Sequence, residues 1–194
     1  MSNSPPEVRN SSDWKELETI LHGLIGQTCW KATRVYGDEL ALHFGERMPC
    51  GIAQMPSLEQ GSWIFGTRAT PWRLDAPGKS SVTSADESDR LQPRLAELEG
   101  AKVVRAVVPC CVLNGQAQPT QRCWPGLLLA FDKGLALELL PGIEELSDTL
   151  ALWELFTPGN MVLEFGPSLV WSYLRSDVPQ EDDAPASEPV TSTP

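Results

Sequence analysis

Leucines recur at helical spacing in two segments of the chain. The first set is Leu17, Leu21 and Leu24 followed by Gly26, and the second, at the same offsets, is Leu91, Leu95 and Leu98 followed by Gly100. Intervals of three and four residues place leucines on one face of an amphipathic helix, and a following glycine is typical of a helix C-terminus. The pattern predicts helices from about Asp13 to Leu24, with Asp13 followed by Glu16 as the N-cap pattern, and from about Asp86 to Glu99.

Alternating segments follow each predicted helix. The motif Leu-x-Leu-x-Phe occurs at 40–44 and again at 127–131. Alternation of apolar and polar residues, bounded by Gly, Pro and Asp, is typical of strands joined by short turns. Strands are predicted at 28–36, 40–44, 62–74 with a break at Pro71, 103–108, 127–131, 135–139, 161–165 and 169–174.

The order of these elements predicts an α+β fold made of two tandem copies of one unit. Each copy is expected to contain a helix and antiparallel strands, with the helices packed on a mostly antiparallel sheet. We expect a flexible leader at 1–12, a first copy at 13–75, a linker at 76–85, a second copy at 86–175 packed with the first as one domain, and a disordered acidic tail at 176–194.

The composition is that of a soluble globular protein. Apolar residues make up 41% of the 194 residues, and seven of them are tryptophans. No apolar run reaches the ~20 residues that a transmembrane helix needs, and the start of the chain lacks the pattern of a signal peptide. Five cysteines, an odd number, favour reduced thiols over a disulfide framework. These features predict a cytoplasmic protein.

The negative charge is concentrated in the last third of the chain. Residues 1–133 contain 15 acidic and 14 basic residues, whereas residues 134–194 contain 11 acidic residues and one basic residue, so the net charges are −1 and −10. An acidic surface bordered by apolar residues attracts a basic protein by electrostatic steering and repels nucleic acid. We therefore expect a protein partner with a basic surface, and binding to neither nucleic acid nor membrane.

Few residues are suited to catalysis or to metal binding. The two histidines, His22 and His43, are explained as a solvated helix residue and an outward-facing strand residue. Adjacent Cys110 and Cys111 with Cys123 lack the spacing of a zinc site. None of the common nucleophile, phosphate-binding or dinucleotide-binding motifs occurs. The sequence thus favours a non-catalytic protein, and we expect no catalytic residue, metal or cofactor.

Two groups of residues are candidates for a functional site. The candidate partner-binding residues are the acids Glu144, Glu145, Asp148 and Glu154. The candidate lining of a cleft between the two copies is Trp30, Trp63, Trp72 and Arg73, although core packing is the commoner role of tryptophan. The second group supports an alternative function, an enzyme or a small-ligand-binding module.

Short motifs in both predicted copies resemble a group of bacterial proteins. They are Leu-Ala-Leu-His-Phe-Gly at 40–45 with Trp-Arg-Leu at 72–74, and Leu-Leu-Leu-Ala-Phe-Asp-Lys-Gly at 127–134 with Trp-Glu-Leu at 153–155. Over about residues 13–175 the chain resembles small uncharacterised bacterial proteins of duplicated α+β build, some of which are similar to immunity proteins of bacterial competition systems. The resemblance implies an immunity- or inhibitor-like binding protein and no particular catalytic residue.

Overall fold

The structure is a computed structural model that describes residues 7–50, 57–68, 70–109, 126–142 and 150–176. The helices are α1 (Trp14–His22) and α2 (Ser88–Leu95), the second continuing into a 3-10 turn at Ala96–Leu98. The strands are β1 (Val8–Ser11), β2 (Cys29–Arg34), β3 (Leu40–Pro49), β4 (Glu59–Thr67), β5 (Trp72–Asp75), β6 (Val82–Thr83), β7 (Val103–Val107), β8 (Leu128–Phe131), β9 (Ala136–Leu139), β10 (Trp153–Thr157), β11 (Met161–Phe165) and β12 (Trp171–Arg175).

The strands form two antiparallel sheets within these ranges. The larger sheet has seven strands in the order β1-β12-β11-β10-β4-β3-β2, and the smaller has five in the order β6-β5-β9-β8-β7. A single bridge between Thr28 and Lys102 connects the regions next to β2 and β7, the end strands of the two sheets. The chain passes from the larger to the smaller sheet between β4 and β5, and it returns between β9 and β10.

Both predicted helices are present and are short. The carboxylate of Asp13 accepts hydrogen bonds from the backbone N–H groups of Lys15 and Glu16, which caps α1 in the way that the sequence predicts. Gly26 follows α1 with φ +88°, a conformation that glycine adopts without strain. The helices contribute one buried stripe each, which consists of Leu17 and Leu21 in α1 and Leu91 and Leu95 in α2.

One hydrophobic core joins both sheets and both helices. Trp72, Trp153 and Trp171 are the largest fully buried side chains. The rings of Phe44 from β3 and Phe131 from β8 stack with their centroids 6.5 Å apart, which brings the two sheets into direct contact. The two Leu-x-Leu-x-Phe motifs therefore mark positions on opposite sides of one shared core.

The predicted α+β fold of two tandem units is wrong. The chain is predominantly β, with helices of only nine and eight residues in the described part. Strand β5, from the predicted first copy, pairs with β9 from the second, and β10, from the second, pairs with β4 from the first. Strands of each half pair with strands of the other half, so neither half is a helix packed on its own sheet. The tandem duplication therefore does not describe the fold.

Several segments differ from their predicted roles. The predicted leader contains β1, which pairs with β12, and the predicted linker contains β6, which pairs with β5. Apart from Ser176, the predicted acidic tail lies outside the described residues. Among the described residues, no helix has both the length and the hydropathy required to cross a membrane.

Candidate functional site

The outer face of the seven-stranded sheet carries the polar and half-buried side chains that the core does not use. We define this outer face as the face turned away from the hydrophobic core. Strand pairing aligns a row of mostly apolar side chains across it, formed by His43, Ile64, Phe156, Val162 and Leu174 on successive strands. Val162 and Leu174 are buried yet lie outside the hydrophobic core cluster.

A carboxylate pair lies beside this row. Glu154 on β10 is opposite Gly66 on β4 and Glu164 on β11, so both acids face outward in neighbouring strands. The missing side chain at Gly66 makes room for Glu154, because a Cβ there would lie 3.2 Å from the Glu154 carboxylate oxygen Oε1. The sheet therefore holds one member of the predicted partner-binding group in a defined position.

Glu154 is mostly buried and ion-paired. Its Oε2 accepts a hydrogen bond from Nη2 of Arg68 at 2.6 Å, and its side chain is 12% exposed. Burial raises the pKa of Glu154, while Arg68 acts in the opposite direction; the nearby carboxylates of Glu164 and Glu39 raise the pKa further. Glu154 is thus paired with one arginine, while the carboxylates of Glu164 and Glu39 lie close enough to act on its charge.

The remaining predicted acids cannot be placed. Glu144, Glu145 and Asp148 lie outside the described residues, between Gly142 and Leu150. Their partner-binding role stays a prediction.

The residues predicted to line a cleft are divided over the two sheets: Trp30 and Trp63 lie in the larger sheet, and Trp72 and Arg73 lie in the smaller one. Trp72 lies in β5 and is 1% exposed, and its Nε1 donates a hydrogen bond to the carbonyl oxygen of Asp38 at 2.8 Å. A side chain that is so completely enclosed cannot line an open cleft. Arg73, its neighbour, binds the carboxylates of Asp75 and Glu138 at 3.0 and 2.7 Å across β5 and β9.

Trp63 packs against the core from β4. A Cβ at Gly23 would lie 2.7 Å from Cη2 of Trp63, so the glycine after α1 provides space for this ring. Trp63 therefore has a packing role between the helix and the larger sheet.

Trp30 belongs to a small outer-face cluster. The guanidinium carbon of Arg47 lies 4.6 Å from the centre of the Trp30 ring, and the His43 ring is 5.4 Å away. Nδ1 of His43 accepts a hydrogen bond from the Gly61 N–H at 3.1 Å. Burial lowers the pKa of His43, and Lys31 lowers it further, so a neutral imidazole serves here as a structural acceptor.

The described thiols are not arranged for chemistry. Burial raises the pKa of Cys29 to about 12, so this thiol is protonated and enclosed at neutral pH. Cys50 is a partly exposed free thiol, and Cys110, Cys111 and Cys123 lie outside the described residues. No cluster of three or more His, Cys, Asp or Glu suited to a metal occurs in the part of the chain that the structure describes.

One concave site was not predicted. A pocket of about 360 Å³ lies where β10 ends and turns into β11, beside the far end of the β3–β4 hairpin. Its described lining consists of Met48, Gln60, Gly61, Ser62, Ile64, Phe156, Thr157, Pro158, Gly159, Asn160, Met161 and Ser176. The Thr-Pro-Gly-Asn sequence at 157–160 indicates a turn, but no local pattern shows which strand end that turn adjoins.

Comparisons with protein-family models, with curated proteins and with solved structures found no match.

Proposed function

We propose that this chain is a non-catalytic acidic binding protein, immunity- or inhibitor-like, which engages a basic protein partner. The observation that carries the proposal is the charge asymmetry, with a net charge of −10 over residues 134–194 against −1 over residues 1–133. A field of one sign attracts an oppositely charged partner and raises the association rate.

The outer face supplies a structural reason for this choice of surface. Strands β10, β11 and β12 all come from the acidic part of the chain, and they carry the partly exposed Glu164, and the largely buried Glu154 with its partner Arg68, beside the partly buried Phe156. Protein interfaces combine an apolar centre with a polar rim, and this face has both components.

A cytoplasmic location is part of the proposal. It is supported by the odd number of cysteines and by the free thiols of Cys29 and Cys50, which suit a reducing compartment.

Salt-dependent capture tests the proposal. The full-length protein is immobilised and exposed to host lysate, and bound proteins are identified and then purified for association kinetics. We expect a partner with a basic surface whose association rate falls steeply with ionic strength, by about tenfold or more between low and high salt. Exclusive capture of acidic proteins, or an association rate that does not change with salt, would refute the proposal.

Charge reversal tests which surface of the protein binds the basic partner. Changing Glu144, Glu145 and Asp148 together to Lys should slow association by about tenfold or more, since it reverses the local field. The matched control changes Glu7, Glu18 and Glu46 to Lys; these exposed acids of the first half give the same change in net charge. Equal effects of the two triple variants would show that total charge, and not the acidic C-terminal part, determines binding.

A further inference from the structure

Among the described residues, one end of β4 has a neighbouring strand on one side only. Strand β10 pairs with Ile64–Thr67 and then ends, and the chain turns at Pro158 into β11. Residues 59–63 of β4 continue beyond that point and pair, among the described residues, only with β3. An antiparallel strand with an open side presents a row of backbone N–H and C=O groups to any segment that can lie beside it.

The 360 Å³ pocket occupies the space beside this open edge. Gln60, Ser62 and Ile64 of β4 form one wall, and residues 156–161 of the β10–β11 turn form the other. The pocket thus lies next to the part of β4 that β10 does not reach. Every described residue that lines it is uncharged.

Both walls are held by hydrogen bonds within the protein. The backbone N–H and the Oγ of Ser176 donate to the carbonyl oxygen of Asn160 at 2.8 and 3.1 Å, which ties the turn to the end of β12. On the other side, Oγ of Ser62 accepts a hydrogen bond from the Glu46 N–H at 3.1 Å. A site whose walls are ordered in advance loses little conformational entropy when it is filled.

We propose that this pocket binds an extended, uncharged peptide segment. The segment adds as a strand to residues 59–63 of β4 and inserts an apolar side chain against Ile64 and Phe156. The open edge selects an extended backbone, because only that conformation aligns its donors and acceptors with a strand. The uncharged lining selects against Lys, Arg, Asp and Glu, whose charges would lose water without gaining a partner. The volume lies within the range of sites that enclose a small group.

This site shares Ile64 and Phe156 with the apolar row beside the acidic surface, but its recognition depends on the β4 edge and on the absence of charge. Basic partners and electrostatic steering play no part in its recognition, so either proposal can fail while the other holds.

Titration with a capped peptide tests the inference. The probe is acetyl-Thr-Val-Thr-Val-Thr-amide, which is uncharged and has high β-propensity, added to the full-length, ¹⁵N-labelled protein. We expect amide shift changes confined to Met48, to residues 60–64, to Phe156 and Thr157 and to residues 159–161, with a Kd of about 1 mM. The depsipeptide analogue, in which esters replace the backbone amides, should bind at least about tenfold more weakly because it cannot donate hydrogen bonds.

Two variants and a matched control complete the test. Met48→Lys and Gln60→Lys each bring a charge to the pocket and should weaken peptide binding by about fivefold or more. Val104→Lys places the same charge on a half-exposed residue of β7, in the other sheet, and should leave binding unchanged. The inference is overturned if the peptide shifts no pocket amide at about 10 mM, if the ester analogue binds as well, or if all three variants bind alike.

Discussion

Trp72 and Trp153 provide a matched test of how hydrogen bonding by a buried indole contributes to the stability of this fold. Their side chains are 1% and 0% exposed. Nε1 of Trp72 donates to the Asp38 carbonyl at 2.8 Å, whereas Nε1 of Trp153 is buried with no hydrogen-bond partner among the described residues. Changing either residue to Phe removes the N–H and a similar amount of apolar surface, so the difference between the two variants isolates the hydrogen bond.

The expected difference follows from the cost of burying polar groups. Trp72→Phe loses a hydrogen bond with a net value of about 1 kcal/mol in addition to the lost packing. Trp153→Phe loses packing too, but it also removes an unpaired N–H whose burial costs about 1–3 kcal/mol. The free energy of unfolding should therefore be lower in Trp72→Phe than in Trp153→Phe by about 2–4 kcal/mol.

Urea unfolding followed by far-ultraviolet circular dichroism measures this difference, provided that the dependence of stability on urea is the same in both variants. Trp171→Phe is the control, because Trp171 is buried and its Nε1 also lacks a partner. It should resemble Trp153→Phe. If Trp72→Phe is no less stable than these two variants, the reasoning from the Trp72–Asp38 hydrogen bond is refuted.

Four further predictions concern individual residues. Arg68→Ala should lower the free energy of unfolding at pH 7 by about 1–2 kcal/mol, because the mostly buried Glu154 carboxylate loses its cation. The deficit should shrink as the pH falls through the raised pKa of Glu154, and Glu154→Gln should restore most of it; a deficit independent of pH would contradict the ion-pair explanation. Because burial lowers the pKa of His43, the unfolded chain binds its proton more readily, so stability should fall as the pH drops below 6.5, and His43→Gln should flatten this slope in denaturant titrations. An NMR midpoint above 6.5 for the His43 ring would disprove this. Gly61→Ala should cost about 2 kcal/mol or more in urea unfolding, because a Cβ there would lie 2.6 Å from two backbone oxygens; a cost below about 0.5 kcal/mol would show that the strand moves freely. Finally, Cys29 should resist iodoacetamide at pH 8 in the folded protein and react in urea, as measured by mass spectrometry, because burial raises its pKa to about 12; rapid labelling of the folded protein would contradict its enclosure.

Local patterns predicted most of the individual elements. The segment predicted at 161–165 coincides with β11, and Asp13 caps α1 as expected. Such features depend on neighbours within a few residues, through cap hydrogen bonds and the alternation of side chains along a strand. Strands β1 and β6 were missed because they are only four and two residues long and lie in segments that resemble loops.

The candidate site was harder to predict because its contacts are distant in the sequence. Glu154 was predicted from charge alone, and its partner Arg68 lies 86 positions earlier in the chain. The pocket combines residues from β3, β4, β10, β11 and the turn between them with Ser176, and it lies where β10 no longer pairs with β4. No spacing within a single segment contains that information.

The amino-acid sequence by itself determined the leucine face of each helix, the alternation of most strands and the place where the negative charge is concentrated. These properties follow from side-chain periodicity and composition, which are local. The tertiary structure alone decided that β5 pairs with β9 and β10 with β4, which makes the fold predominantly β instead of two helix-containing units. Strand pairing is decided by backbone hydrogen bonds between distant segments, and the alternation that predicts a strand does not specify its partner.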